Sequence, residues 1–472
     1  MKKILRKIIY LSLILFLQNN IYSQCFTSVV AGQNHVIAKK ANGSYWGWGS
    51  NYGGQIAQNV SVFSETSPIV LPSNNYQYMS AGFYGVNTFA IQNNGTLWAT
   101  GANVDGALGI GNLVSPIYGF MQIGTANNWK SISSYFNFTI AMKTNNNIWG
   151  WGANDSNQMG NNTCCANQLS PVLISSATDW KSIGVSGVSS VFAIKNNGTL
   201  WCWGSNVAYL ISANAGSPVP VQHNPDTDWD KMSVGTGHIL ILKNNGSLWS
   251  WGDGGAGECG DTLPAGYVRN EPRQIVSNIS WQSIAAGSRT SFGIKTDGTL
   301  WAWGLNDIGQ LGVGNFVDQR LPVQLGTAAN WAMVSSGYNF TVALRSDGSL
   351  WTWGSNYFGQ LGNGTSTDDP TPTNIPIAGC ALANKVFEQD KKSFKLSPNP
   401  AHGSLNIQYN GIENVNKIII YDLVGKQVYS TNALGNNNFA TNFDISQLQS
   451  GYYIVALKND DAFVSQQKLI IE

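Results

Sequence analysis

Seven times the chain returns to a tryptophan in the same local setting: Trp46, Trp98, Trp149, Trp201, Trp249, Trp301 and Trp351, spaced by 52, 51, 52, 48, 52 and 50 residues. A period near 50 held over seven copies demands a repeat architecture, in which each copy is one small unit that buries its apolar face only against its neighbours. The clearest copy, residues 297–312, reads DGTLWAWGLNDIGQLG. A second marker lies about twenty positions ahead of each tryptophan: Phe26, Tyr76, Trp129, Trp180, Trp229, Trp281 and Trp331. All 18 tryptophans fall into this scheme: seven first members of the pair, six second members (Thr100 replaces one) and five leading positions. A single role repeated at one structural position is what packing between units produces, so the pairs read as core rather than as a ligand platform.

Each unit translates into local structure. L-W-x-W alternates with period two, so both rings leave one side of a strand. Asn-Gly or Asp-Gly just before it suits a two-residue hairpin turn, whose central residues need positive φ. The Asn-Gly-Thr/Ser triplets at Asn42, Asn94, Asn197 and Asn245 therefore read as turns, although they match a glycosylation sequon. Three or four strands in each 50 residues, seven times, predict an all-β chain built as a seven-bladed β-propeller. After residue 380 tryptophan disappears. Residues 381–394 are a polar linker, and short alternating strands over 395–472 predict a small Ig-like β-sandwich.

The two ends carry addresses. Lys2, Lys3, Arg6 and Lys7 precede the apolar run Ile8–Leu17, which is too short to span a bilayer, so residues 1–23 read as a secretory signal peptide. Bulky Gln24 argues against lipid attachment at Cys25, and no other stretch is long and apolar enough for a membrane helix. Within 25–380 there are 14 Lys+Arg against 17 Asp+Glu without a basic cluster, which excludes a nucleic-acid partner on electrostatic grounds. Cys25 and Cys380 flank the array and would meet where it closes, so a disulfide between them is expected. Partners for Cys164, Cys165, Cys202 and Cys259 stay open.

The repeat is similar to the regulator-of-chromosome-condensation family, whose unit has a G-x-x-H turn, a D-G hairpin, W-G and G-Q-L-G. Gly32–His35 and Gly235–His238 keep the turn, and residues 297–312 keep the rest. The resemblance spans about 26–380 and implies a propeller occupying 24–380. Repeat four departs from it, with NVAYLISANAGSP in place of Gly-Gln-Leu-Gly. The founder's nuclear exchange activity is rejected, since an exported chain meets neither its GTPase nor nucleosomes. The C-terminal unit resembles the type A sorting domain of the type IX secretion system, through Pro398-Asn399-Pro400, Gly425-Lys426, Gly451 and Lys468 in their order. That resemblance implies a Gram-negative cell, passage through the periplasm and recognition by the type IX machinery.

Function is sought where the copies disagree. The first turns of repeats two, three, six and seven carry Phe83, Tyr84, Phe136, Arg289, Tyr338 and Asn339, with Tyr135 beside them, an aromatic and amide mixture of the kind enriched at protein-binding hot spots. His35 and His238 lack a nucleophile motif and read as structural, and Asp226, Asp228 and Asp230 lack the glycine and glutamate of a calcium loop. No cofactor or catalytic residue is expected. The expected role is an exported, non-enzymatic module that binds an extracellular protein, with a glycan-binding adhesin as the alternative and a hydrolase or lyase third.

Overall fold

The computed structural model describes residues 25–58, 62–72, 75–205, 216–262, 267–277, 279–377, 394–410, 417–422, 427–432, 438–459 and 462–471. The expected signal peptide 1–23, Cys380 and the linker up to residue 393 lie outside these. The chain divides into two compact units, Met1–Leu382 and Ala383–Glu472.

The first unit is built from one motif. In its first copy β1 (Phe26–Ala31), β2 (His35–Lys40), β3 (Tyr45–Ser50) and β4 (Ser64–Val70) form an antiparallel sheet in sequence order. Among the described residues seven such sheets follow one another, over 26–70, 76–122, 129–175, 180–222, 229–274, 281–324 and 331–375. They are called sheets 1 to 7 here, and their strands first to fourth. The register explains two glycines. The W-G glycine (Thr100-Gly101 in sheet 2) faces the opening residue of the second strand in every sheet, as in Thr290↔Gly304. Gly304 has φ +107°, and a Cβ there would stand 2.4 Å from the Arg289 carbonyl. Gly298, in the hairpin, has φ +81° and would meet the Ala329 carbonyl at 2.3 Å. Both places require a residue without a side chain.

The tryptophans sort by depth. The second of each pair is buried, as Trp48, Trp151, Trp203, Trp251, Trp303 and Trp353, while the first is half-buried. Trp303 packs with Leu240, Leu242 and Leu248 of the preceding sheet. Its indole N–H donates to the Glu258 carbonyl of that sheet at 3.0 Å. Trp151, Trp203 and Trp353 make the same bond back to Ala107, Gln158 and Gln310. Sheets 3, 4, 6 and 7 are thus each tied to the one before by a ring and one polar bond, and in sheet 2 Thr100 stands in place of the ring and donates to the Gly54 carbonyl of sheet 1 at 2.8 Å. In sheet 1 Trp48 reaches the Gln360 carbonyl of sheet 7 at 3.0 Å. Phe26 and Val36 share a core with Phe340 and Val342, so the first and last sheets pack together. First strands or first turns of all seven sheets line one cavity of about 300 Å³.

The half-buried tryptophans serve the hairpins. Trp301 donates to Thr299 Oγ1 at 3.0 Å, and Thr299 donates its N–H and O–H to Asp297. Thr96 and Thr199 join Trp98 and Trp201 to Asn94 and Asn197 in the same way, which is what the hydroxyl of the sequon-like triplet does in this fold. A cation closes six of these corners. Lys40, Lys143, Lys195, Lys243, Lys295 and Arg345 lie over the first tryptophan of their pair, Lys295 at 3.3 Å from the Trp301 ring centre.

The second unit contains a three-stranded sheet (Phe394–Ser397, Ser404–Asn410, Asn438–Asp444) and a four-stranded sheet ordered Gln427–Asn432, Lys417–Asp422, Gly451–Asn459, Ala462–Ile471. Leu405, Ile407 and Phe443 from the first, and Ile418, Ile420, Val455 and Leu469 from the second, form one core.

Candidate binding face

The sheets have two unlike ends. In all seven, the residue after W-G (after Thr100-Gly101 in sheet 2) donates its N–H to a carbonyl of the first turn, as Ser50 does to Asn34 (2.8 Å), Leu305 to Arg289 (2.9 Å) and Ser355 to Asn339 (2.8 Å). First turns and third-to-fourth-strand connections therefore share one end, the turn end. The Asn-Gly and Asp-Gly hairpins lie at the other, the hairpin end.

The turn-end connections are held by an asparagine and a glutamine. Buried Asn306 receives the Leu311 N–H on Oδ1 (3.0 Å) and donates through Nδ2 to the carbonyls of Asn315 and Val317. Asn51, Asn103, Asn154 and Asn356 do the same in sheets 1, 2, 3 and 7. Gln310 accepts the Ile308 N–H at 2.9 Å. A buried amide that satisfies both its oxygen and its nitrogen fixes a loop firmly. The residues between these anchors are free to vary.

The variable positions are aromatic. Tyr52, Phe63, Phe136, Tyr267, Phe316, Tyr338 and Tyr357 are the exposed aromatic residues among those described, and all belong to first turns or third-to-fourth-strand connections. Tyr357 is 77% exposed, Tyr52 70% and Phe63 67%. Tyr52 and Phe63 stack at 6.4 Å. Of these seven, the sequence reading singled out only Phe136 and Tyr338. Tyr52 and Tyr357 follow the anchoring asparagine directly, and the variability of that position from copy to copy is the signal that marks them.

The turn residues picked from sequence divide into a cluster and a rim. Tyr84, Tyr135 and Tyr338 come from sheets 2, 3 and 7, yet Tyr84 stacks on Tyr135 (5.5 Å) and meets Tyr338 edge-on (4.9 Å), with Phe83 beside Tyr135 (6.2 Å). Tyr84 adopts φ 57°, a left-handed conformation that is strained for a bulky residue. Burial raises the Tyr84 phenol well above its usual range, reinforced by its hydrogen bond with Tyr338, and pushes Tyr135 up to about 12. Tyr135 is buried, whereas Phe136 is exposed. Arg289 stands outside the cluster, 3.4 Å from buried Glu258. Asn339 serves through its backbone carbonyl.

The histidines of the G-x-x-H turns are buried and structural in their contacts. Thr88 gives its hydroxyl proton to the Gln55 carbonyl, so it accepts from His35 Nε2 at 3.0 Å. Ser291 does the same between His238 (2.9 Å) and the Glu258 carbonyl. Burial lowers His35 to about 3 and His238 to about 4, which keeps both neutral. Asp226 and Asp228 both lie 3.0 Å from Lys243, and Asp230 pairs with Lys181. Cys164 and Cys165 are disulfide-bonded to each other, and Cys202 and Cys259 are buried thiols. Cys25 is disulfide-bonded; its expected partner, Cys380, lies outside the described residues.

In the second unit Pro398, Asn399 and Pro400 are exposed. Asn399 Oδ1 accepts the Ile470 N–H at 2.8 Å, and Ala401 bridges to Ile471, so this motif is joined to the last strand. Gly451 opens its strand opposite Ile471, and Lys468 pairs with Ile454. Gly425 and Lys426 lie outside the described residues.

Comparison with known proteins agrees with this architecture. The regulator of chromosome condensation (RCC1) repeat matches residues 145–193, 245–294 and 297–344, and a second model of that repeat matches 129–158, 229–258, 281–310 and 334–360. The secretion system C-terminal sorting domain matches 395–472. The ultraviolet-B receptor UVR8 of Arabidopsis thaliana is 26% identical over 307 residues, covering 63% of this chain and 69% of that one. The probable E3 ubiquitin-protein ligase HERC6 of Homo sapiens is 28% identical over 200 residues, covering 41% of this chain and 19% of that protein. The structure of Prp20p from Saccharomyces cerevisiae superposes with a TM-score of 0.62 at 18% identity, covering 75% of this chain and 88% of that one. Human WBSCR16 gives 0.60 at 17%, covering 68% and 88%. Among the described residues no helix is long and apolar enough to cross a membrane. The chain carries RCC1 repeats folded as a β-propeller and a C-terminal type IX sorting domain, which marks it as a secreted or cell-surface protein.

Proposed function

We propose that the seven sheets are seven blades of one closed propeller, and that this propeller is a non-enzymatic module that binds a protein partner at or outside the cell surface through its turn end. The observation that carries the reading is the sorting of every exposed aromatic among the described residues onto that end. Exposed rings on rigidly anchored loops offer contact area at little entropic cost, and a monomer gains nothing from leaving them in water. Prp20p, whose binding to Gsp1p and histones is described, supports protein partners as a use of the fold.

Residues 24–380 are the delivered module, 381–394 a linker and 395–472 an Ig-like sandwich read by the export machinery through Pro398, Asn399, Pro400, Gly425, Lys426, Gly451 and Lys468. Cys25 and Cys380 join the two ends of the ring. Capture of a partner from the protein's surroundings, followed by cross-linking, tests the binding reading. Cross-links should fall on the turn end and vanish with Tyr52→Ala plus Tyr357→Ala. Cross-links confined to the hairpin end overturn it, as does a glycan array that is positive while protein capture is blank. Normal export after deletion of 395–472 overturns the sorting role.

A further inference from the structure

The two ends also differ in charge. All nine lysines between residues 25 and 377 lie at the hairpin end, where they, Arg273 and Arg345 face six carboxylates. The first turns, the connections and the first two residues of each fourth strand hold nine carboxylates and three arginines, and Asp253 at the end of a third strand adds a tenth carboxylate. Charge at the hairpin end is largely consumed internally. Asp179 pairs with Lys195 (3.2 Å), Asp226 and Asp228 with Lys243, Asp230 with Lys181, and five lysines lie over tryptophan rings. At the turn end Glu258 and Asp261 meet the guanidinium groups of Arg289 and Arg269. Three further carboxylates there are held by neutral donors: Asp307 by the Gln310 amide (2.8 Å), Asp318 by the Asn306 N–H (2.8 Å) and Asp368 by the Asn356 N–H (2.6 Å). A neutral donor orients a carboxylate without cancelling its charge.

The same end therefore combines exposed rings with uncompensated negative charge. The combination is densest across sheets 7 and 1, where Tyr357, Tyr52 and Phe63 share the end with Glu65 and Asp368. The connections of these two sheets contain no lysine or arginine. Both features select one chemistry, because aromatic faces and carboxylates each attract cations. We propose that the turn end is the docking surface for a basic protein segment, whose lysine or arginine side chains lie over Tyr52, Phe63 and Tyr357 and between the surrounding carboxylates. This rests on the binding reading above and names the partner's chemistry. An acidic protein, an anionic glycan or a nucleic acid would be repelled from the same surface.

The test uses the full secreted chain and fluorescein-labelled twelve-residue peptides of alternating Arg-Gly, Glu-Gly or Ser-Gly, read by anisotropy. The Arg-Gly peptide should bind, and its affinity should fall about tenfold between 50 and 300 mM NaCl. Tyr52→Ala plus Tyr357→Ala should weaken it at least about fivefold, since the rings lose their cation contacts. Glu65→Gln plus Asp307→Asn should weaken it and flatten the salt dependence, while Lys130→Ala at the hairpin end should change nothing. Equal or tighter binding of the Glu-Gly peptide overturns the proposal, as does Arg-Gly binding that ignores the tyrosine and carboxylate variants. A neutral oligosaccharide that binds these tyrosines while the Arg-Gly peptide does not overturns it in favour of a glycan. A captured partner that cross-links to the turn end through an acidic segment overturns this inference alone; one that cross-links only to the hairpin end overturns the binding reading as well.

Discussion

The hairpin end and the turn end are built from the same seven copies and use them oppositely. At the hairpin end the copies agree: a tryptophan in all seven, Asp-Gly or Asn-Gly followed by a hydroxyl in six (Asn146-Asn147 stands there in the third) and, in six of seven, a cation above the ring. At the turn end the anchors agree and the residues between them do not. Agreement follows where each unit solves the same packing problem against its neighbour. Disagreement is permitted where an anchored loop meets solvent, and that is where exposed rings and uncompensated charge have collected.

The contrast can be broken most forcefully at the shared packing. Trp303→Ala should cost about 3–5 kcal/mol in chemical denaturation, since it empties a buried site and removes one of the two donors to the Glu258 carbonyl. A cost below about 1 kcal/mol would mean that the rings are not what joins the sheets. Acid comes next. His35 and His238 hold folded values of about 3 and about 4, below the ordinary 6.5, so the unfolded chain takes protons that the folded one refuses. Stability should be flat above pH 7 and fall as pH drops through 6.5, by about 2 kcal/mol per histidine at pH 5. His35→Gln should make the melting temperature less sensitive to acid; an unchanged slope would remove His35 as a cause. Gly298→Ala should cost about 1–2 kcal/mol through its left-handed backbone and the Ala329 carbonyl in its way. The smallest effect sharpens the contrast best. Tyr357→Ala should change stability by less than about 0.5 kcal/mol, because an exposed ring contributes little to the fold, while weakening capture of the partner. A large loss of stability there would move Tyr357 from the binding surface to the core.

Much of the fold was legible along the chain because its signals are local. Period-two alternation around Trp301 and Trp303 states a strand, Asp297-Gly298 states its turn, and the 50-residue recurrence states the repeat. The burial order within the pair was less so. Alternation puts both rings on one side, but the depth of Trp303 against Trp301 depends on Leu240 and Leu248 in another sheet. The candidate site was legible only in part. Tyr84, Tyr135 and Tyr338 were readable as variable turn residues, and their meeting was not, since Tyr84 and Tyr338 are separated by more than half the chain. Tyr52 and Tyr357 lie in the longer connections, outside the first turns, and are marked along the chain only by following the anchoring asparagine.

By itself, then, the sequence determined the all-β class, the seven-fold repetition, the hairpins and the two addressed ends, because backbone geometry and alternation are properties of neighbouring residues. Tertiary structure alone decided which carbonyl each indole finds, that lysines spread over 250 residues share one end with most of their charge absorbed, and that aromatic residues from six different connections and turns gather at the other. Those facts depend on stacking one sheet on the next, which brings together residues that no local pattern relates.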